Sequence, residues 1–182
     1  MLTLDFATFP TLHTERLVLR DHVPTDVEPL FRLRNDERCM EFIGRPRATT
    51  LLDAQQLMER MAQERLMNAS VSWTVALEGD DTMIGSIGLY RLKPEHYTAE
   101  VGYQLTPEHW GKGLMYEALN AVTEHTLGHL GFHRIEAITD PRNQRSRALL
   151  ERCGYALEGI QRENYYWEGK FMDSALYARL AK

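Results

Sequence analysis

Residues Thr106 to Glu117, TPEHWGKGLMYE, set two glycines one residue apart at the entry to an amphipathic segment. At a helix N-terminus the free backbone N–H groups and the helix dipole attract an anion. Gly111 and Gly113 lack a Cβ, so a phosphate can come close to the main chain, and Lys112 between them adds a positive charge. The chemistry this fits is a pyrophosphate cradle. It is not a Walker A loop, which needs a longer spacer before its Gly-Lys and then Ser or Thr. It is not the dinucleotide fingerprint either, because Tyr116 stands where the third glycine belongs. On the glycines alone, an ordinary helix-entry turn would look the same.

Other residue groups carry less. His125, His129 and His133 recur every fourth residue, a spacing that can hold a metal. Gly128 and Gly131 interrupt them, and no Glu sits where a zincin needs one, so no metal is expected. Cys39 and Cys153 are the only cysteines and lie far apart, which argues against a disulfide framework and fits a reducing compartment. Arg142, Arg145, Arg147 and Arg152 form a basic cluster, and Tyr165, Tyr166 and Trp167 an aromatic run. Met58, Met61 and Met67 read as core or groove lining.

The elements that must hold these residues alternate strand and helix. Residues 14–21 read as a first strand, with Leu17 and Leu19 against Arg16, Val18 and Arg20. Asp26 opens a helical pattern, Gly44 to Arg47 form a loop, and Asp53 starts a second helix. Ser72 to Leu77 and Met83 to Tyr90 pair as a hairpin about Gly79-Asp80-Asp81, and Thr98 to Leu105 follow as a strand. Gly102 inside that strand marks a bulge or a close approach. A helix runs from Gly111 to about Leu130, and Arg134 to Thr139 form a short strand. Asn143 caps a helix running to Cys153 and closed by Gly154. Two strands, 156–166 and 170–180, finish the chain. Strands joined through helices require some parallel pairing and the hairpins require antiparallel pairing, so the class is α/β with a mixed sheet.

With 182 residues and no linker or repeat, residues 1–182 are expected to form a single domain. Lys plus Arg is 21 against 26 Asp plus Glu, a net charge of −5, which argues against a dedicated nucleic-acid binder. The first residues, MLTLDFATFP, lack the basic and apolar regions of a secretion signal. No apolar run approaches the ~20 residues of a membrane span, so the expected location is the cytoplasm.

A second block, NQRSRALLERCGY at 143–155, stands downstream of AEVGYQLTPEHWGKGLMYEAL. Together they resemble the GNAT superfamily of N-acetyltransferases, and within it the RimJ/RimL group that acetylates N-terminal amines of ribosomal proteins. The resemblance runs from TERLVLR at 14–20 to LYARL at 176–180. It implies a mostly antiparallel sheet flanked by helices and splayed between its fourth and fifth strands, those holding Glu100 to Leu105 and Arg134 to Thr139. Acetyl-CoA would enter the gap. The pantetheine arm would pair near Gln104, Leu105 and Thr106, and the pyrophosphate would rest on Gly111, Lys112, Gly113, Leu114 and Met115. Asn143 and Ser146 match the family's N-x-x-S block facing the pantetheine and the thiol. One of the arginines between Arg142 and Arg152 could meet the 3′-phosphate. Glu108 departs from the family, which has Gln or Arg there.

The implied reaction needs a neutral amine. An α-amine, with a pKa of about 7.7–8.0, loses its proton more readily than lysine at about 10.4. A carboxylate could help, and a bulge near Gly102 could aim N–H donors at the oxyanion. The leaving thiolate wants a proton. Many family members supply it from a Tyr, but Leu150 stands there and cannot. Ser146 is the substitute, against the reading that it only satisfies helix backbone. For the base, Glu100 and Glu163 compete, although the RimL-like pattern puts its glutamate nearer Tyr165. Water as proton acceptor, with catalysis by positioning alone, is a third route. The aromatic run lines either an amine pocket or a dimer seam. The acceptor is a primary amine, first a protein N-terminus, with an amino acid, polyamine or amino sugar as alternatives. The rival reading is a non-catalytic acyl-CoA-binding module. Monomer and homodimer stay open.

Overall fold

The computed structural model describes residues 1–182. Alternation in the sequence builds its sheet: in β2 (Leu17–Arg20), Leu17 and Leu19 are buried while Val18 and Arg20 are only partly covered. Eight strands share one sheet in the order β1-β2-β3-β4-β5-β6-β8-β7. They are β1 (Leu12–His13), β2, β3 (Val71–Leu77), β4 (Asp80–Lys93), β5 (Thr98–Leu105), β6 (Arg134–Thr139), β7 (Ala156–Trp167) and β8 (Lys170–Leu180). Every neighbouring pair is antiparallel except β5 with β6.

Helices cover both faces. Val71, Trp73 and Val75 of β3 join the main core with Leu114 and Leu119 of α4 (Leu114–Glu124) and Leu150 of α5 (Gln144–Arg152). By the two-residue alternation, Ser72 and Thr74 face the other way, where both hydrogen-bond His22 and Thr74 also reaches Asp26. There α1 (Val27–Asn35) and α3 (Leu51–Leu66) pack Leu30, Leu33 and Ala54 with Met83. A short α2 (Glu37–Met40) follows α1. No helix is long and apolar enough to cross a membrane.

The sheet opens between β5 and β6. They pair in parallel only at Thr98–Arg134, Ala99–Ile135 and Glu100–Glu136. Beyond Glu100, β5 stays with β4 out to Leu105, and β6 stays with β8 out to Thr139. The segments are those expected to splay, but the short β1 makes them the fifth and sixth strands rather than the fourth and fifth. Other boundaries also shift. Thr50, not Asp53, caps α3: Asp53 N donates to Thr50 Oγ1, and Asp53 Oδ2 accepts from Thr50 N. The helix expected from Gly111 starts at Leu114, and after Glu124 it loosens into a π-helical turn, His125–His129. There is no bulge at Gly102, which pairs directly with Gly88. The irregularity lies in β4 between Tyr90 and Lys93, where Arg91 has φ 46°. Gly102 is small because the Tyr90 ring lies 3.3 Å from where a Cβ would stand.

Candidate active site

The main-chain polarity of β5 decides what faces the gap. Thr106 N donates to Ile84 O of β4 at 2.9 Å. Amides alternate sides along a strand, so those of Gln104 and Gly102 also point to β4, and those of Leu105, Tyr103 and Val101 point into the gap. Of the expected pantetheine partners, Leu105 is therefore placed to pair, and the main chains of Gln104 and Thr106 are already committed to β4. The Gln104 side chain instead accepts from Arg34 Nη1 at 2.9 Å and donates to Cys39 O at 3.2 Å. Thr106 Oγ1 is held by His109 Nδ1 at 2.8 Å.

The gap continues into a groove of about 1110 Å³, walled by α2, β5, β6, the glycine turn and α5. Gly111 and Gly113 both take left-handed backbone, φ 73° and 76°. No amide from Gly111 through Tyr116 donates to any protein acceptor. Six successive N–H groups beside a helix N-terminus can receive an anion, and a Cβ at Gly111 would project into open space. Leu114 and Met115 contribute amides only, since their side chains are buried in the core. Lys112 is exposed and does not line the groove. Its carbonyl accepts from Arg16 Nη1 at 3.0 Å, while Arg16 Nε donates to Glu117 Oε2 at 2.7 Å, which pins the turn.

The arginine cluster divides. Arg142 is paired with Asp140, and Arg147 is bound to Tyr177 Oη and Pro141 O. Arg145 and Arg152 line the groove with no carboxylate partner and stack on Trp110 and Tyr116, at 4.8 and 4.2 Å from the ring centres. They are the cations available to a phosphate. Glu108, the departure from the expected Gln or Arg, is exposed beside Arg38 at 3.6 Å.

Asn143 caps α5, its Oδ1 accepting from Ser146 N at 3.0 Å. Ser146 Oγ lies 2.9 Å from Tyr103 Oη across the groove. Leu150 is buried in the core beside them. The two expected bases are not in the groove. Glu100 has the side-chain parity of Gly102 and Gln104, sits where β5 and β6 are still paired, and is bound to Arg91 Nη1 at 2.7 Å. Glu163 lies in an irregular stretch of β7 between Gln161 and Tyr165, with φ 51° and its N–H on Asp173 Oδ1. It faces a separate small hollow with Arg162 and Asp173. The irregularity removes the regular alternation on which its placement rested.

Three groove residues were given no place in the site by the sequence. Tyr103 belongs to the quoted motif, and its odd parity with Val101 and Leu105 was the available signal. Glu41, just past α2, is the only carboxylate lining the groove. Cys39 also lines it, and burial pushes its thiol up to about 11, so it stays protonated. Outside the groove lining, Tyr165 packs on Gly44, while Tyr166 is exposed and meets Phe171 edge to face. The His125 and His129 rings stack 5.0 Å apart, and no three His, Cys, Asp or Glu side chains converge as a metal set.

Comparison with known proteins gives a consistent answer. A family model described as an acetyltransferase (GNAT) domain matches residues 16–156. The N-acetyltransferase YoaA of Bacillus subtilis (strain 168) is 29% identical over 93% of this chain and 96% of its own. The ribosomal-protein-serine acetyltransferase of Escherichia coli (strain K12) is 34% identical over 56% of each chain. Among solved structures, RimL, a ribosomal L7/L12 alpha-N-protein acetyltransferase in complex with coenzyme A, superposes with a TM-score of 0.86 over 94% of this chain and 98% of its own. At 21% identity that likeness speaks for the fold.

Proposed function

The chain belongs to the GNAT acetyltransferase family, and from that premise we propose that this acetyl-CoA-dependent N-acetyltransferase acts on α-amines, those of protein N-termini first among them. Bound acetyl-CoA supplies an acetyl thioester, whose carbonyl carbon an amine attacks and whose sulfur leaves. The amides from Gly111 to Tyr116 fit its pyrophosphate, with Arg145 and Arg152 beside them and the Leu105 and Tyr103 amides free for the pantetheine. Asn143 fixes the first turn of α5, and Ser146 gives its proton to the departing sulfur.

The observation that carries the α-amine is the poverty of bases. The groove has one carboxylate, Glu41, exposed at its edge, and its one histidine, His109, is bound to Thr106. An acceptor must therefore bring an amine that is already partly neutral, which favours a pKa of about 7.7–8.0 over lysine at about 10.4. The names of the E. coli relative and of RimL support a protein acceptor.

The test is release of free thiol from acetyl-CoA with a panel of amines at neutral pH. Peptides with a free N-terminus are expected to turn over, and N-terminally blocked peptides with an internal lysine are not. Turnover confined to polyamines or amino sugars would overturn the proposal.

A further inference from the structure

The hydroxyl pair that crosses the groove, Tyr103 Oη and Ser146 Oγ at 2.9 Å, does something the acid role alone does not explain. A serine at the third position of a helix often serves the backbone of its own N-terminus. Here that need is already met. Asn143 N donates to Asp140 O at 2.9 Å, and the Asn143 side chain takes the Ser146 amide. Ser146 Oγ has no other protein partner than Tyr103. Its backbone is set by the cap and its hydroxyl by the tyrosine.

A hydroxyl has one proton and two lone pairs. If Ser146 donated to Tyr103, its one proton would be engaged on the phenol oxygen and could not reach the sulfur. If Tyr103 donates, the serine proton is free, and the bond it receives polarises it further. We propose that Tyr103 is a positioning residue for the acid: its hydroxyl donates to Ser146 Oγ and leaves the serine proton aimed into the groove. This rests on Ser146 being the acid. Tyr103 suits the task because it stands on β5, packed against the main core, rather than on a loop. Burial raises its phenol pKa, and its neighbours Cys153, Tyr155 and Tyr177 push the same way, so it keeps its proton. The proton balance closes without it. The amine loses one proton to solvent, Ser146 gives one to sulfur and takes one back from water, and Tyr103 remains a phenol throughout.

The experiment is a double-mutant cycle on kcat with a peptide α-amine, alongside acetyl-CoA binding by calorimetry and thermal melting. Ser146→Ala is expected to lower kcat by roughly 10²-fold. Tyr103→Phe, which deletes one oxygen, is expected to lower it by about tenfold with KM for acetyl-CoA unchanged, as for one lost hydrogen bond. The double variant should match Ser146→Ala alone. Both deficits should shrink together above pH ~8.5, where a thiolate can leave without a proton. If Ser146→Ala keeps kcat, the acid reading fails and this inference with it. If Ser146→Ala loses kcat but Tyr103→Phe does not, this inference alone fails. A Tyr103→Phe deficit that persists on the Ser146→Ala background also overturns it. Should Tyr103→Phe melt early, Tyr103→3-fluorotyrosine keeps the ring and hydroxyl with a more acidic proton. It should raise kcat at neutral pH, and an unchanged or lower kcat would overturn the proposal.

Discussion

Glu41 lines the groove edge, exposed and in no ion pair, so its charge is free to attract the ammonium form of the proposed acceptor. Glu41→Gln should lower kcat/KM for a peptide amine by roughly fivefold, about 1 kcal/mol, the scale of an exposed charge contact, with acetyl-CoA affinity unchanged. Glu100→Gln and Glu163→Gln should stay within about twofold, as surface substitutions do. Steady-state kinetics on the three variants checks this. A second residue prediction concerns stability. Asp26 is 2% exposed and binds Arg20 Nη1 at 2.8 Å. Burial pushes its carboxyl up, but the bonds from Arg20, the Val23 amide and Thr74 outweigh that and hold it below the ordinary value of 3.8. The carboxylate's contribution is therefore complete above pH ~3.8 and is lost as pH falls through the lower folded value. Asp26→Ala, which strands Arg20, should cost about 3–5 kcal/mol and flatten the acid limb of Tm against pH. Asp26 reads in sequence only as a helix opener, because its partner is a strand residue and pairing across elements leaves no spacing signal.

At the scale of elements, the proposed donor site rests on the glycine turn. Gly111→Val and Gly113→Val each put a branched side chain at positive φ, a strain of roughly 1–2 kcal/mol, and the valine replacing Gly111 fills the space in front of the amides. Acetyl-CoA Kd should rise at least about tenfold in both. Arg145→Ala and Arg152→Ala should each raise it less, and more so at low salt. Calorimetry at two ionic strengths separates these. Wild-type affinity in both glycine variants would remove the cradle from the account. The turn was readable because two glycines stand before an amphipathic run and a second motif block, at 143–155, follows them. The splay was expected from the motif blocks on β5 and α5, not from periodicity. What the pattern does not announce is short or irregular. β1 spans two residues and α2 four, too few for any period to show. The displaced residues Arg91 and Glu163 have positive φ without being glycine, so nothing in their identity signals the irregularity.

For the whole molecule, the groove is walled by the stretch from β5 to α5 and by residues 38–43, which precede it in the chain. The proposed donor side is a continuous stretch, β5 through α5, which is why its motif blocks stand together in the sequence. Beside it, Gly44 packs against Tyr165 of the outer hairpin, a contact across more than half the chain that no local pattern encodes. The net charge of −5 gives mild attraction to cationic amines without choosing among them. In the proposed function the choice comes from the acceptor's own pKa. The most direct test is to incubate the protein and acetyl-CoA, near pH 7, with one peptide carrying both a free N-terminus and an internal lysine, and to map the acetyl group by mass spectrometry. The account predicts label on the α-amine, with the lysine left free. Label on the lysine alone, or none on the peptide while a polyamine is acetylated, would contradict it.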